Sequence, residues 1–258
     1  MSLPELKNWS KTRDSLHQAA LVLGAVRKLL VERQPNFQHL SLQVVPVGLS
    51  TGKTSAGELI LDFTARAVIL DAEKQIRLEG LSQLLLTEQL VNMLAASGHS
   101  ISPDRQHLNS ETPFELDATQ ASGYAAALYT IYGAVRHFSQ NLPGHKTPPV
   151  IWPHHFDLSF LWFAGEGTDE REDPHINFGF SPYTEEIDGA YFYSYAWSKA
   201  TGYLDIPTPP KTELVSGGSK YTVLSYDDVR QESDPSAYIQ QHFQTLWEST
   251  RVKLDQRE

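Results

Sequence analysis

The chain of 258 residues has no cysteine, two methionines and no long apolar run. Without cysteine there is no disulfide, no thiolate metal site and no cysteine nucleophile. Without about eighteen consecutive apolar residues, no membrane-spanning helix is expected. Basic side chains are also short. The 21 Lys and Arg stand against 31 Asp and Glu, a formal charge of −10. A surface of that sign repels phosphate backbones, so nucleic acid is not an expected partner. The opening "MSLPELKNWS" holds neither a basic cap nor an apolar segment, so no secretory signal is expected either. These absences point to a cytoplasmic protein, and apolar residues at 40% supply material for a core.

What is present has order. Ala19, Val22, Val26 and Leu29 recur at helical spacing and predict a helix over residues 12 to 34, ended by Pro35. The segments "LSLQVVPVG", "GELILDFTA", "RAVILDA" and "KQIRLEGL" are short, rich in branched residues and separated by turn signals, which predicts antiparallel strands. A helix from Ser82, a good N-cap, to Gly98 follows. A third runs from about Asp117 to Asn141. More strands come next in "FDLSFLWF", "HINFGFS", "AYFYSYAW" and "KYTVLSY", and Asp234 with Pro235 opens a closing helix striped by Ile239, Phe243 and Leu246. Residues 206 to 218, "IPTPPKTELVSGG", suggest a surface excursion.

The first and third helices share "GAVR", at 24 to 27 and 133 to 136, an offset of 133 − 24 = 109. That offset carries Ala19, Val22, Val26 and Leu29 onto Leu128, Ile131, Val135 and Phe138. Each helix is followed by a proline turn and then strands. The expectation is therefore an α+β protein of two diverged helix-plus-antiparallel-sheet halves, residues 1–116 and 117–258, packed as one unit and closed by a C-terminal helix.

Several suggestive motifs do not survive a check of spacing. "GLSTGKTSAG" has three residues between Gly48 and Gly52 where a phosphate-binding loop needs four, and "ELILDF" follows instead of a helix. A mobile hairpin loop is the better expectation there. "EGTDERED" lacks the alternating ligands and central glycine of a calcium loop and suggests a solvated connection. No Gly-x-Ser-x-Gly elbow or His-Glu-x-x-His helix occurs.

The densest chemistry is "VIWPHHFDLSFLWFAG", residues 150 to 165. Strand alternation sets Phe156, Leu158, Phe160 and Trp162 on one face and His155, Asp157 and Ser159 on the other. In "HINFGFS" the same rule groups His175, Asn177 and Gly179 against Ile176, Phe178 and Phe180. If the two strands form a hairpin with a shared core face, both polar sets meet. Tyr191, Tyr193, Tyr195 and Trp197 lie on one side of the next strand and would then wall a pocket, the usual form of a small-molecule site. His155 and Asp157 are candidates for acid–base work. With His175 (or Glu185) as third ligand, they are also candidates for a divalent metal. The competing reading is structural, a histidine bonded to a backbone carbonyl and an aspartate holding a turn.

The run "WPHHFDLSFLWF", "HINFGFSP", "YFYSYAW" resembles an uncharacterised bacterial family of unknown function marked by a Trp-Pro-His-His-Phe-Asp segment. The amino-terminal "LPELKNWSKTRDSLHQ" is similar to that family as well, and the likeness covers most of the chain. Ser198 departs from it, standing where a proline follows Trp197 in the pattern. The resemblance implies that residues 152 to 157 are a defining feature and brings no reaction. The expected function is a small-molecule or metal pocket around residues 152–197. The alternatives are a non-catalytic interaction module and a hydrolase using a His155–Asp157 pair. Oligomeric state is left open.

Overall fold

In the computed structural model, which describes residues 2–187 and 189–255, three helices start where capping chemistry puts them, after Ser82, Asp117 and Asp234. The first helix has no side-chain cap and ends at Leu30, short of Pro35. Helix α1 spans Ser10–Leu30 and a short 3-10 segment, Pro35–Leu40, follows. The first sheet is then laid down strand by strand: β1 (Gln43–Val45), β2 (Gly48–Thr54), β3 (Gly57–Asp62), β4 (Ala67–Leu70) and β5 (Lys74–Arg77). Helix α2 (Gln83–Ala96) opens on Ser82, whose hydroxyl accepts from Leu85 N, and closes at Gly98 with φ +89°. Helix α3 (Ala118–Asn141) is capped by Asp117, whose carboxylate accepts from Gln120 N at 2.9 Å.

The second sheet comprises β6 (Val150–Trp152), β7 (Asp157–Phe163), β8 (His175–Ser181), β9 (Tyr191–Ser198), the short β10 (Gly202–Tyr203), β11 (Thr212–Ser216) and β12 (Lys220–Ser225). Helices α4 (Tyr226–Arg230) and α5 (Pro235–Asp255) end the described chain, the latter capped by Asp234 to Ala237 N at 3.0 Å. The protein is thus α+β with two antiparallel sheets, ordered β1-β2-β3-β4-β5 and β11-β12-β9-β8-β7-β6, with β10 paired to β9. No helix among the described residues is long and apolar enough to cross a membrane.

Two compact units divide the chain. One gathers Leu6–Tyr129 and Ile151–Phe156, and the other gathers Met1–Glu5, Thr130–Val150 and Asp157–Glu258. In the first unit α1 packs on β2, β3 and α2, with Leu16, Leu23 and Val26 fully buried. In the second, α5 lies on β8 and β9. Phe243 there meets Phe138, Phe178 and Phe192 at ring centroid distances of 5.6, 5.2 and 6.3 Å. Each such ring removes a large apolar area from water, so this aromatic cluster stabilises the unit.

Two sequence expectations need correction, and a third gains detail. "GLSTGKT" is not a mobile loop: it is strand β2, and Gly48 to Gly52 are all buried. Pairing to β1 and β3 satisfies its backbone, which composition alone does not reveal. "IPTPPKTELVSGG" contains a paired edge strand, β11. Leu29, placed on the buried stripe by its spacing, is 46% exposed one residue from the end of α1.

The offset of 109 reaches beyond "GAVR". Adding it to β2 gives 48 + 109 = 157 and 54 + 109 = 163, the bounds of β7. It also links Leu42 to Ile151 (42 + 109 = 151), and these two pair antiparallel, each N–H donating to the other's carbonyl at 2.8 Å. The strand orders β1-β2-β3-β4 and β6-β7-β8-β9 match. They part at the fifth place, taken by β5 in one sheet and β12 in the other.

Candidate functional site

The polar face of the second sheet starts at Asp157. Residues 153–156 form a turn, and Phe156 has φ +57°, the left-handed region that a bulky residue rarely enters. Strand alternation therefore cannot be run backwards through Phe156. His155 sits in this turn with its surface exposed rather than on the strand face, and His154 is likewise exposed. Their rings lie 4.1 Å apart. Desolvation of its inner side lowers His154 to about 4, with the charges of His155 and His17 adding to the effect.

The turn has a built support that sequence reasoning missed. His17, on α1, donates from Nε2 to the carbonyl of Pro153 at 2.9 Å, which fixes its tautomer. Its ring stacks on Phe156 at 5.1 Å, and Phe156 also meets Tyr124 at 5.7 Å. Burial lowers the His17 pKa and the bond to Pro153 partly offsets that. The bulky residue thus keeps its unusual backbone conformation because packing on both sides of its ring holds it.

From Asp157 onward the register is unbroken. Ser159 opposes Gly179, Leu161 opposes Asn177 and Phe163 opposes His175. On the next ladder His175 opposes Trp197, Asn177 opposes Tyr195, and Gly179 opposes Tyr193. One face therefore collects Asp157, Ser159, His175, Asn177, Tyr191, Tyr193 and Tyr195, while Leu158, Phe160, Ile176, Phe178 and Phe192 form the other, core face.

Gly179 decides what this face can do. A Cβ there would lie 2.6 Å from the Tyr193 hydroxyl, so only glycine lets the ring lie across β8. Tyr193 thereby spans from β9 to β7 and donates its phenol proton to Asp157 Oδ2. Asp157 is 7% exposed. Burial raises the Tyr193 pKa well above its ordinary value, and the Asp157 charge pushes it further the same way, so the phenol keeps its proton. Ser159 bonds the same phenol oxygen. A glycine inside a strand is a signal of close approach, and in "HINFGFS" it was there to be read.

Beside this pair, Asn177 Nδ2 donates to the Tyr195 hydroxyl at 3.2 Å. Its Oδ1 is buried and makes no hydrogen bond among the described residues. His175 is held as an aromatic plank. It stacks on Trp197 at 5.3 Å, abuts Phe163 at 5.9 Å and donates from Nδ1 to the Asp173 carbonyl at 2.9 Å. Burial lowers its pKa, partly offset by that carbonyl and by the Asp173 charge. Glu185 lies exposed in the loop after β8. Among the described residues no three of His, Cys, Asp and Glu are grouped to hold a metal ion, and His155, Asp157 and His175 are no exception.

A groove of about 650 Å³ opens at the far end of β7, between Trp162, Phe163, Trp247 and Arg251. The Arg251 guanidinium lies 4.7 Å from the Trp247 ring. This groove is separate from the Asp157 end of the strand.

A model of a family of unknown function, DUF5996, matches residues 2–255 of the chain. No curated protein and no solved structure matches it.

Proposed function

We propose that this chain, which belongs to the DUF5996 family, binds a small organic molecule on the polar and aromatic face of β7, β8 and β9. The observation that carries the reading is the Asp157–Tyr193 pair. A buried carboxylate and a phenol are brought together across an intervening strand by a glycine, beside the amide of Asn177. A carboxylate buried only to brace a sheet is costly, because its desolvation must be offset by bonds that an apolar residue would not need. A few convergent polar groups among aromatic walls is the usual make-up of a site that orients a ligand. No metal enters the proposal, since the candidate ligands are not grouped to hold one. Acid–base work at this face would run through Tyr193 and Asp157, which are already joined by a hydrogen bond.

The test is a library of small polar and aromatic compounds screened by ligand-observed NMR and by thermal shift against the protein and its Tyr193→Phe variant. A ligand present at one hundred times its dissociation constant adds about 2.7 kcal/mol to stability, an easily read change in melting. Compounds that bind the protein and lose most of their affinity on Tyr193→Phe support the site. A screen without such compounds favours the alternative, an interaction module in which the pair is structural.

We propose as well that the two helix-and-sheet halves descend from one duplicated unit. The equal bounds of β2 and β7 at offset 109 and the Leu42–Ile151 pair at that same offset support this. An alignment of family members in which residues 24–54 and 133–163 share no more identities than unrelated helix–strand pairs would contradict it.

A further inference from the structure

We propose that the ligand of this face carries a primary ammonium group, an inference that rests on the small-molecule reading above and narrows it to a chemical class. Three independent features of the second unit point the same way.

The first is hydrogen-bonding polarity. Asp157 is an acceptor when ionised, and its Oδ2 already accepts a hydrogen bond from the Tyr193 hydroxyl. Asn177 is 7% exposed and turns its Nδ2 to Tyr195, which leaves Oδ1 as a buried carbonyl oxygen with no donor among the described residues. An unmet buried carbonyl lowers stability, and a ligand donor that reaches it restores what is lost. Asn177 Oδ1 lacks a donor, and an ammonium has three.

The second is the row of rings. Tyr191 and Tyr193 lie 6.1 Å apart by centroid, and Tyr195 meets Tyr203 edge-on at 5.4 Å. Tyr193, Tyr195 and Trp197 are each part-exposed. Aromatic faces carry negative potential and attract a cation, most strongly where water is displaced.

The third is the charge around them. The carboxylates of Asp157, Glu170 and Glu186 act on Tyr191, Tyr193, Tyr195 and Tyr221 by their charge. Tyr221 donates to Glu186 at 3.4 Å. Each of the four phenols is pushed upward, burial being the largest cause and these carboxylates adding to it. A carboxylate or phosphate ligand would enter against that field, whereas an ammonium enters with it.

Three probes of one shape test this on the intact protein, with calorimetry as the readout. Benzylammonium offers charge and donors, benzyltrimethylammonium charge without donors, and benzyl alcohol a donor without charge. Benzylammonium is expected to bind roughly tenfold or more tightly than either of the others, the ratio that one hydrogen bond to a charged group commands. Asn177→Leu, checked by its melt to be folded, is expected to lose roughly tenfold in benzylammonium affinity while its affinity for benzyltrimethylammonium, which has no donor to lose, stays the same. Benzyl alcohol binding as tightly as benzylammonium overturns the cation reading. If that binding is still lost on Tyr193→Phe, the small-molecule site stands without it. No binding by any of the three also overturns the cation reading, and the library screen then decides the site by itself. A folded Asn177→Leu variant that binds benzylammonium unchanged removes the donor argument.

Discussion

Helix α1 with strand β2 and helix α3 with strand β7 lie at matching positions about 109 residues apart, yet they put their polar residues to opposite uses. In the first pair Arg27 is buried, and its guanidinium donates to the carbonyls of Thr51 and, at 3.4 Å, Gln38. The ladder slips between Ser50 and Lys53, and Gly48 and Gly52 have positive φ. The chain's own backbone consumes the polar groups there. In the second pair Arg136, the counterpart of Arg27, is exposed. Strand β7 runs straight and buried throughout, and Asp157 stands where β2 has Gly48. Regular alternation keeps Asp157 and Ser159 together on one face. A ladder that stays in register can present side chains as a set, and one that bulges spends them locally.

The largest way to break the comparison is at Leu29 and Phe138, equivalent in spacing. Phe138 is 3% exposed and sits against Phe160, Phe178 and Phe243, so Phe138→Ala should cost about 3–5 kcal/mol in a denaturant melt. Leu29→Ala, at a site 46% exposed, should stay within about 0.5 kcal/mol. Equal costs would mean that the two helices bury the same stripe after all.

Acid sensitivity comes next. His242 on α5 is 7% exposed, and burial lowers it from 6.5 to about 4. His17 on α1 is lowered in the same direction, with a backbone bond opposing the shift. Between pH 6.5 and 4 the unfolded chain then binds the proton that folded His242 refuses. Stability is complete above pH 6.5 and falls as the pH drops through that window, by roughly 3 kcal/mol for His242. His242→Gln should flatten this slope more than His17→Gln does. A slope unchanged by His242→Gln would show that this ring is not the source.

The two "GAVR" glycines give the third contrast. A Cβ at Gly24 would meet Pro153 Cγ at 2.7 Å, whereas one at Gly133 would meet nothing within 4 Å. Gly24→Ala should destabilise by about 2 kcal/mol from overpacking, and Gly133→Ala should stabilise by about 0.5–1 kcal/mol through helix propensity. Opposite signs at matched positions are the point of this test. The two arginines give the smallest effect. Arg27→Met should cost about 1 kcal/mol for lost bonds to carbonyls, partly offset because burial disfavours its charge. Arg136→Met, on the surface, should be near neutral, and equal losses at the two sites would break the contrast.

Much of this was legible in the sequence, and the rest fails for identifiable reasons. Ser82, Gly98, Asp234 and Pro235 marked helix ends because capping is local chemistry. The alternation of β7, β8 and β9 was plain because one face is a run of large apolar side chains and the other carries polar groups and tyrosines. Strand β2 was not, since Gly, Ser, Thr and Lys carry little hydrophobic signal and its burial is decided by neighbours distant in sequence. His155 was assigned to a face by a parity that Phe156 interrupts with a backbone angle no pattern encodes. The Asp157–Tyr193 bond is diagonal across three strands, so it depends on register, which spacing alone does not fix.

The account stands or falls on whether ligands gather at Tyr193. The direct measurement is a carbon NMR titration of ¹³C-tyrosine-labelled protein with the tightest compound from the library, the lines assigned by single Tyr→Phe changes. The account predicts that the Tyr193 and Tyr195 lines move first and saturate together, while Tyr129, exposed on α3, stays in place. Lines that move only for tyrosines off the β9 face, with Tyr193 and Tyr195 still at saturation, would contradict it.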